Sequence, residues 1–140
     1  MNKLKIAIRV DGNSKIGGGH LMRCLNLAGL AKRRGHQAHF ILGHHSKASG
    51  PIISKLGYPL YYLPANKTNR LPVEGKKINT DQQWLSIPWF IDAMETKNVL
   101  KCILPDWLVY DNYGLDYRWV NMVTKQNAKI KVLAVDDLDN

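Results

Sequence analysis

The stretch Leu4-Lys5-Ile6-Ala7-Ile8-Arg9-Val10-Asp11-Gly12-Asn13-Ser14-Lys15-Ile16-Gly17-Gly18-Gly19-His20-Leu21-Met22-Arg23-Cys24-Leu25 decides the fold. Leu4, Ile6, Ile8 and Val10 share one face by period two, with Ala7 on the other, which predicts a strand over 4–10. Asp11 to Ser14 are turn formers, and Gly17 to Gly19 extend the loop. From His20 to Arg34, the residues Leu21, Cys24, Leu25, Ala28 and Ala31 recur at helical spacing. Lys32-Arg33-Arg34 closes that helix, where the dipole favours cations, and Gly35 is placed to cap it.

The same alternation continues outward. Strands are predicted over 37–42, 60–63, 107–110 and 129–135, and helices over 46–56 and 115–126. Pro51 suits the first turn of the 46–56 helix. A further helix is expected from an Asp81 cap toward Lys97, broken or kinked at Pro88. Residues 64–80 are polar and read as a long loop. Strands alternating with helices predict an α/β fold, a Rossmann-like parallel sheet with helices on both faces, in one domain over residues 1–140. The chain stops at Asp136-Asp137-Leu138-Asp139-Asn140 directly after a strand, so it reads as part of something larger or as a unit that packs on a partner.

The 140 residues are 45% apolar and 22% charged, which excludes wholesale disorder. No stretch approaches the roughly twenty apolar residues of a membrane span, and no signal-peptide core is present, so a soluble cytoplasmic protein is expected. Cys24 and Cys102 stand alone and indicate neither a disulfide framework nor a zinc ribbon. Charge is uneven: residues 1–80 carry 14 basic and 2 acidic side chains, residues 81–140 carry 6 and 9. Such a basic half attracts nucleotide phosphates, polyanions or an acidic partner. The bases are too scattered to single out nucleic acid.

Three expected strands end in acids: Asp11, Asp111 and Asp136-Asp137. Carboxyl ends of parallel strands frame the ligand crevice, where acids bind hydroxyls or orient a base, although Asp also starts turns and caps helices. Gly17-Gly18-Gly19 before a helix lets backbone approach a ligand and points N–H groups at it. A dinucleotide fingerprint would need Gly at Met22, and a phosphate-binding P-loop would need Gly-Lys-Ser/Thr where His20-Leu21 stands, so neither cofactor class is expected. His20 opens the helix, where the dipole disfavours imidazolium and suits a general base; it can equally cap or pack. His36, His39, His44 and His45 do not combine into a metal site. Trp84, Trp89, Trp107 and Trp119 read as core or domain-interface residues, and Cys24 as an inert core thiol.

Residues 8–25, with Val109-Tyr110-Asp111-Asn112-Tyr113-Gly114-Leu115-Asp116 and Val135-Asp136-Asp137-Leu138, resemble the N-terminal half of the UDP-2,4-diacetamido-2,4,6-trideoxy-β-L-altropyranose hydrolases. These are pseudaminic acid biosynthesis enzymes related to a spore-coat polysaccharide family. The resemblance implies a glycosyltransferase-B-like architecture of two Rossmann-like domains facing across a cleft. It implies metal-independent, cofactor-free hydrolysis of a UDP-linked amino sugar, with inversion and with His20 as the base. Asp11 and Tyr113 would line the sugar side, Arg23 would add polar contacts, and a second domain outside this chain would bind UDP. The chain alone would then be inactive. The family usually has Asp-His-Tyr-Gly where this chain has Asp111-Asn112-Tyr113-Gly114; Asn112 hydrogen-bonds but does not titrate. The alternatives are a glycosyltransferase of the same architecture, whose product is a glycoside rather than free sugar, and a non-catalytic basic half-domain, whose binding would fall steeply with salt.

Overall fold

The computed structural model describes residues 2–14, 16–65 and 84–135. In chain order its elements are β1 (Lys5–Val10), α1 (Gly19–Arg33), β2 (Gln37–Leu42), a 3-10 turn (His44–Ser49) running into α2 (Gly50–Lys55), β3 (Leu60–Tyr62), α3 (Trp89–Ile103), β4 (Trp107–Asp111), α4 (Tyr117–Thr124) and β5 (Lys131–Ala134). The strands form one parallel sheet in the order β3-β2-β1-β4-β5. The chain therefore winds outward twice from β1, and the order reverses between β1 and β4. Crevices for ligands open at such a reversal, beyond the carboxyl ends of the strands.

Two cores cover the two faces, as alternation in β1 requires. Ile8 and Val10 pack with Phe40 and Leu42 beneath Leu21, Cys24, Leu25 and Ala28 of α1 and Ile53 of α2. Ala7, Ile41 and Leu108 pack on the opposite face with Ala93, Leu100 and Ile103 of α3 and Trp119 and Val123 of α4. The five apolar residues expected to face inward from the first helix are its five buried ones. Its end is a Schellman closure: the amide of His36 donates to the Ala31 carbonyl and that of Gly35 to the Lys32 carbonyl, with Gly35 at φ +86°.

Several expected boundaries shift. The 46–56 helix divides into a 3-10 turn and the short α2, with Pro51 in its first turn. Pro88 does not kink the third helix but stands immediately before it, because a proline there sacrifices no internal hydrogen bond; the helix continues past Lys97 to Ile103. The fourth helix covers only 117–124, because Asp116 caps it by accepting from the Arg118 amide. Asp81, most of the 64–80 loop, and Asp136-Asp137 lie outside the described residues.

Candidate active site at the β1–β4 reversal

Asp111 is the last residue of β4, paired in register with Val10, so Asp11 and Asp111 emerge side by side at the reversal. Their surroundings differ. Asp111 is buried, and its carboxylate takes donors from one face of α1. His20 Nδ1 lies 2.5 Å from Oδ1, and Arg23 clamps both oxygens, Nε at 2.5 Å from Oδ2 and Nη2 at 2.6 Å from Oδ1. His20, Arg23 and Cys24 reach one carboxylate because residues three and four apart share a helix face. Cys24 Sγ is 3.6 Å from Oδ2.

A carboxylate only accepts, so His20 Nδ1 carries the proton toward Asp111, and in the neutral ring the lone pair is then on Nε2. The 3.2 Å approach of Arg23 Nη2 to the same Nδ1 follows from both groups donating to one oxygen. Burial, together with Asp111, pushes the Cys24 thiol well above the ordinary thiol range, which fits the inert thiol expected there.

Asp11 turns the other way. It accepts from the Gly43 amide (2.8 Å), Ser46 Oγ (2.7 Å), Asn112 Nδ2 (2.8 Å) and Arg9 Nη1 (2.8 Å). Arg9 is fully buried and forks onto Asp92 of α3, with Nε and Nη2 at 3.2 and 2.6 Å from its two oxygens. Asp92 also accepts from Trp119 Nε1 (2.9 Å) and Thr96 Oγ1 (3.2 Å). Burial would drag the Arg9 guanidinium down, but the two carboxylates together outweigh it and raise its pKa. The network is ionic, buried and saturated with protein donors.

Asn112 joins the two halves of the site. Its Nδ2 bridges Asp11 and the Trp84 carbonyl (2.9 Å), and its Oδ1 accepts from the Gly114 amide. The Tyr113 ring lies edge-on to His20, centroids 4.8 Å apart, and Trp84 stands 5.0 Å from Tyr113 and 6.2 Å from His20. Gly18 caps α1 without a side-chain bond, no acid lies in the first turn, and Gly17, Gly18 and Gly19 are exposed. Gly17 holds φ +82° to make that turn. His20, Arg23, Asp111 and Tyr113 thus converge, the glycines flank them, and Asp11 supports them from below through Asn112.

Sequence reasoning passed over Arg9, Ser46, Trp84 and Asp92. Arg9 left a signal: a cation at the centre of a strand, on a face that helices must cover. Trp84 and Asp92 left none, since their roles depend on where distant segments dock. Among the described residues no three His, Cys, Asp or Glu side chains group to hold a metal ion, and no helix is long and apolar enough to cross a membrane.

No protein-family model matches the sequence, and no curated protein does. Solved structures do match it. MurG of Acinetobacter baumannii superposes with a TM-score of 0.60 at 13% identity, over 95% of this chain and 35% of its own. A glycosyltransferase of Rickettsia africae gives 0.59 at 18% identity, over 100% and 32%. The chain is built like the N-terminal domain of a glycosyltransferase-B fold. It spans about a third of the length of those structures. The Rossmann-like sheet with helices on both faces is therefore as the sequence predicts.

Proposed function

We propose that this chain is the base-bearing N-terminal domain of an enzyme that displaces a nucleoside diphosphate from an activated sugar, working with a second domain that holds the nucleotide. The observation that carries this is the Asp111–His20 pair at the β1–β4 reversal beside the glycine turn. Asp111 fixes the ring through Nδ1 and would stabilise the imidazolium once it forms, leaving Nε2 to accept a proton. In the step, Nε2 takes the proton of an attacking hydroxyl as its oxygen bonds to the anomeric carbon. The bond from that carbon to the phosphate oxygen breaks on the opposite face, the nucleoside diphosphate departs, and the configuration inverts. The exposed glycine turn suits close approach of the substrate's polar groups.

Two acceptors fit this chemistry. Glycosyl transfer to a sugar hydroxyl is favoured by likeness to a solved glycosyltransferase of the same fold. Hydrolysis of a UDP-linked diacetamido-trideoxy hexose, with water as acceptor, is favoured by the motifs over 8–25 and 109–116. Product analysis separates them: free sugar with UDP means hydrolysis, a glycoside means transfer. With the chain and its nucleotide-binding domain assayed together, His20→Ala should lower kcat by about 10²–10⁴-fold with KM little changed. Near-normal turnover in that variant would remove His20 from the mechanism.

A further inference from the structure

We infer that Trp84, with Tyr113, is the wall against which the pyranose ring of the reacting sugar packs, and that Asn112 and His45 hold that wall in place. The inference rests on the reading of the site given above.

Trp84 precedes α3 in an irregular segment whose apolar anchors are Leu85 and Ile87, both buried in their own right. The core therefore has its anchors without Trp84, which remains half-buried. Even so, its backbone carbonyl receives two side-chain donors from opposite sides of the sheet. Asn112 Nδ2 reaches it at 2.9 Å from beyond β4, and His45 Nε2 at 3.1 Å from beyond β2. A carbonyl only accepts, so His45 Nε2 donates, and its Nδ1 lies 3.9 Å from Asp11 Oδ1. Asp11 thus holds the Asn112 clamp directly, by a 2.8 Å hydrogen bond.

Glycine at position 114 allows this approach. A Cβ there would lie 2.8 Å from Leu85 Cγ and 3.1 Å from Trp84 Cβ, so any side chain would push the segment away. The built contact places an indole beside the base at a useful range. An attacking oxygen within about 3 Å of Nε2, and an anomeric carbon about 3 Å beyond it, put the sugar ring roughly 6 Å from the imidazole. The Tyr113 and Trp84 centroids stand 4.8 and 6.2 Å from it. A pyranose presents polarised C–H bonds on one face, which are attracted to the electron-rich face of an aromatic ring. His20 itself meets Tyr113 at 81° and Trp84 at 71°, edge contacts that also fix the imidazole plane. The ligand class is thus a pyranose whose face beside the base is lined by C–H groups rather than hydroxyls.

The test uses this chain together with its nucleotide-binding domain and UDP-N-acetylglucosamine as probe, read by saturation-transfer NMR, which resolves sugar-ring from uracil protons. Saturation of the sugar-ring protons is expected in the wild type, to fall about tenfold in Trp84→Ala, and to be largely retained in Trp84→Phe. Asn112→Ala should resemble Trp84→Ala, because it frees the carbonyl without touching the ring; an unchanged thermal midpoint shows that each variant folds. Equal ring saturation in wild type and Trp84→Ala would overturn the wall and leave the nucleotide-sugar reading standing. No saturation of any probe proton in the wild type would overturn both.

Discussion

Asp11 and Asp111 end neighbouring strands in the same sheet, 1% exposed each, and yet the fold uses them in opposite ways. Asp11 is bound by a backbone amide, a serine, an asparagine and a buried arginine, all supplied by the scaffold. Asp111 is bound by His20 and Arg23, whose side chains are 11% and 31% exposed. The difference arises from the pleat and the helices each face meets. Asp11 follows Ala7 and Arg9 on the α3 side, where a buried Asp92 balances the arginine. Asp111 lies over the start of α1, where one helical face brings His20, Arg23 and the Cys24 thiol to it. A buried carboxylate is therefore diagnostic only through its donors: one set fixed in the core, the other open toward ligand.

The comparison predicts that the two halves fail differently. Arg9→Met leaves two buried carboxylates, Asp11 and Asp92, without the cation between them. Losing one partner of a buried pair costs about 3–5 kcal/mol, and here it strands two acids. The unfolding free energy should fall by that amount, read as a lower urea midpoint at an unchanged slope. Arg23→Met on the crevice side removes a partly exposed cation while His20 still donates to Asp111, and should cost less, about 2 kcal/mol. If the two variants were equally unstable, the division into scaffold and site would be wrong.

Much of this was legible in the sequence, and the illegible part has a definite cause. Period two over 4–10 and helical spacing over 20–34 gave both faces of β1 and the buried stripe of α1, because burial and periodicity are local. The acids at strand ends and His20 at a helix start were equally readable. What could not be read was which acid faces the crevice, since Asp11 is claimed by Ser46, 35 residues away, and by Asn112, 101 residues away. Trp84 was read as core or interface for the same reason: its neighbours His20, Tyr113 and Asn112 come from other elements. Pro88 was read as a break or a kink, and it proves to stand at the start of α3, because a break and a start leave the same residue in the sequence.

Thiol chemistry sharpens the comparison from the crevice side. Cys24 touches Asp111 from the core and is buried, whereas Cys102 on α3 is exposed. Burial first, then the neighbouring carboxylate, disfavours the Cys24 thiolate, and raising the pH to 8 should not release it. In native protein, a thiol-reactive disulfide should modify Cys102 quickly and Cys24 at least about a hundredfold more slowly, the two converging in urea. Fast modification of Cys24 in native protein would mean that the floor beneath Asp111 is open to solvent, and the contrast with Asp11 would lose its basis.

A third carboxylate supplies the surface reference. Asp116 caps α4, is 44% exposed in its side chain, and grips Arg118 through Nη2 at 2.8 Å. The hydrogen bond from the Arg118 side chain lowers its pKa most; burial opposes it, and the helix amides and the Arg118 charge add to the lowering, which prevails. A depressed folded-state pKa means that the stabilisation is present above the unfolded value and is lost as pH falls through the folded one. Asp116→Ala should cost about 1 kcal/mol at pH 7, the scale of a helix cap, and the gap from wild type should close in acid. Salt should shrink only the Arg118 part, because a cap bond to backbone amides is short-ranged. A loss as large as that of Arg9→Met would show that exposure does not separate these acids. A small, acid-sensitive loss would place Asp116 with local structure, apart from both the ionic core of Asp11 and the crevice pair of Asp111.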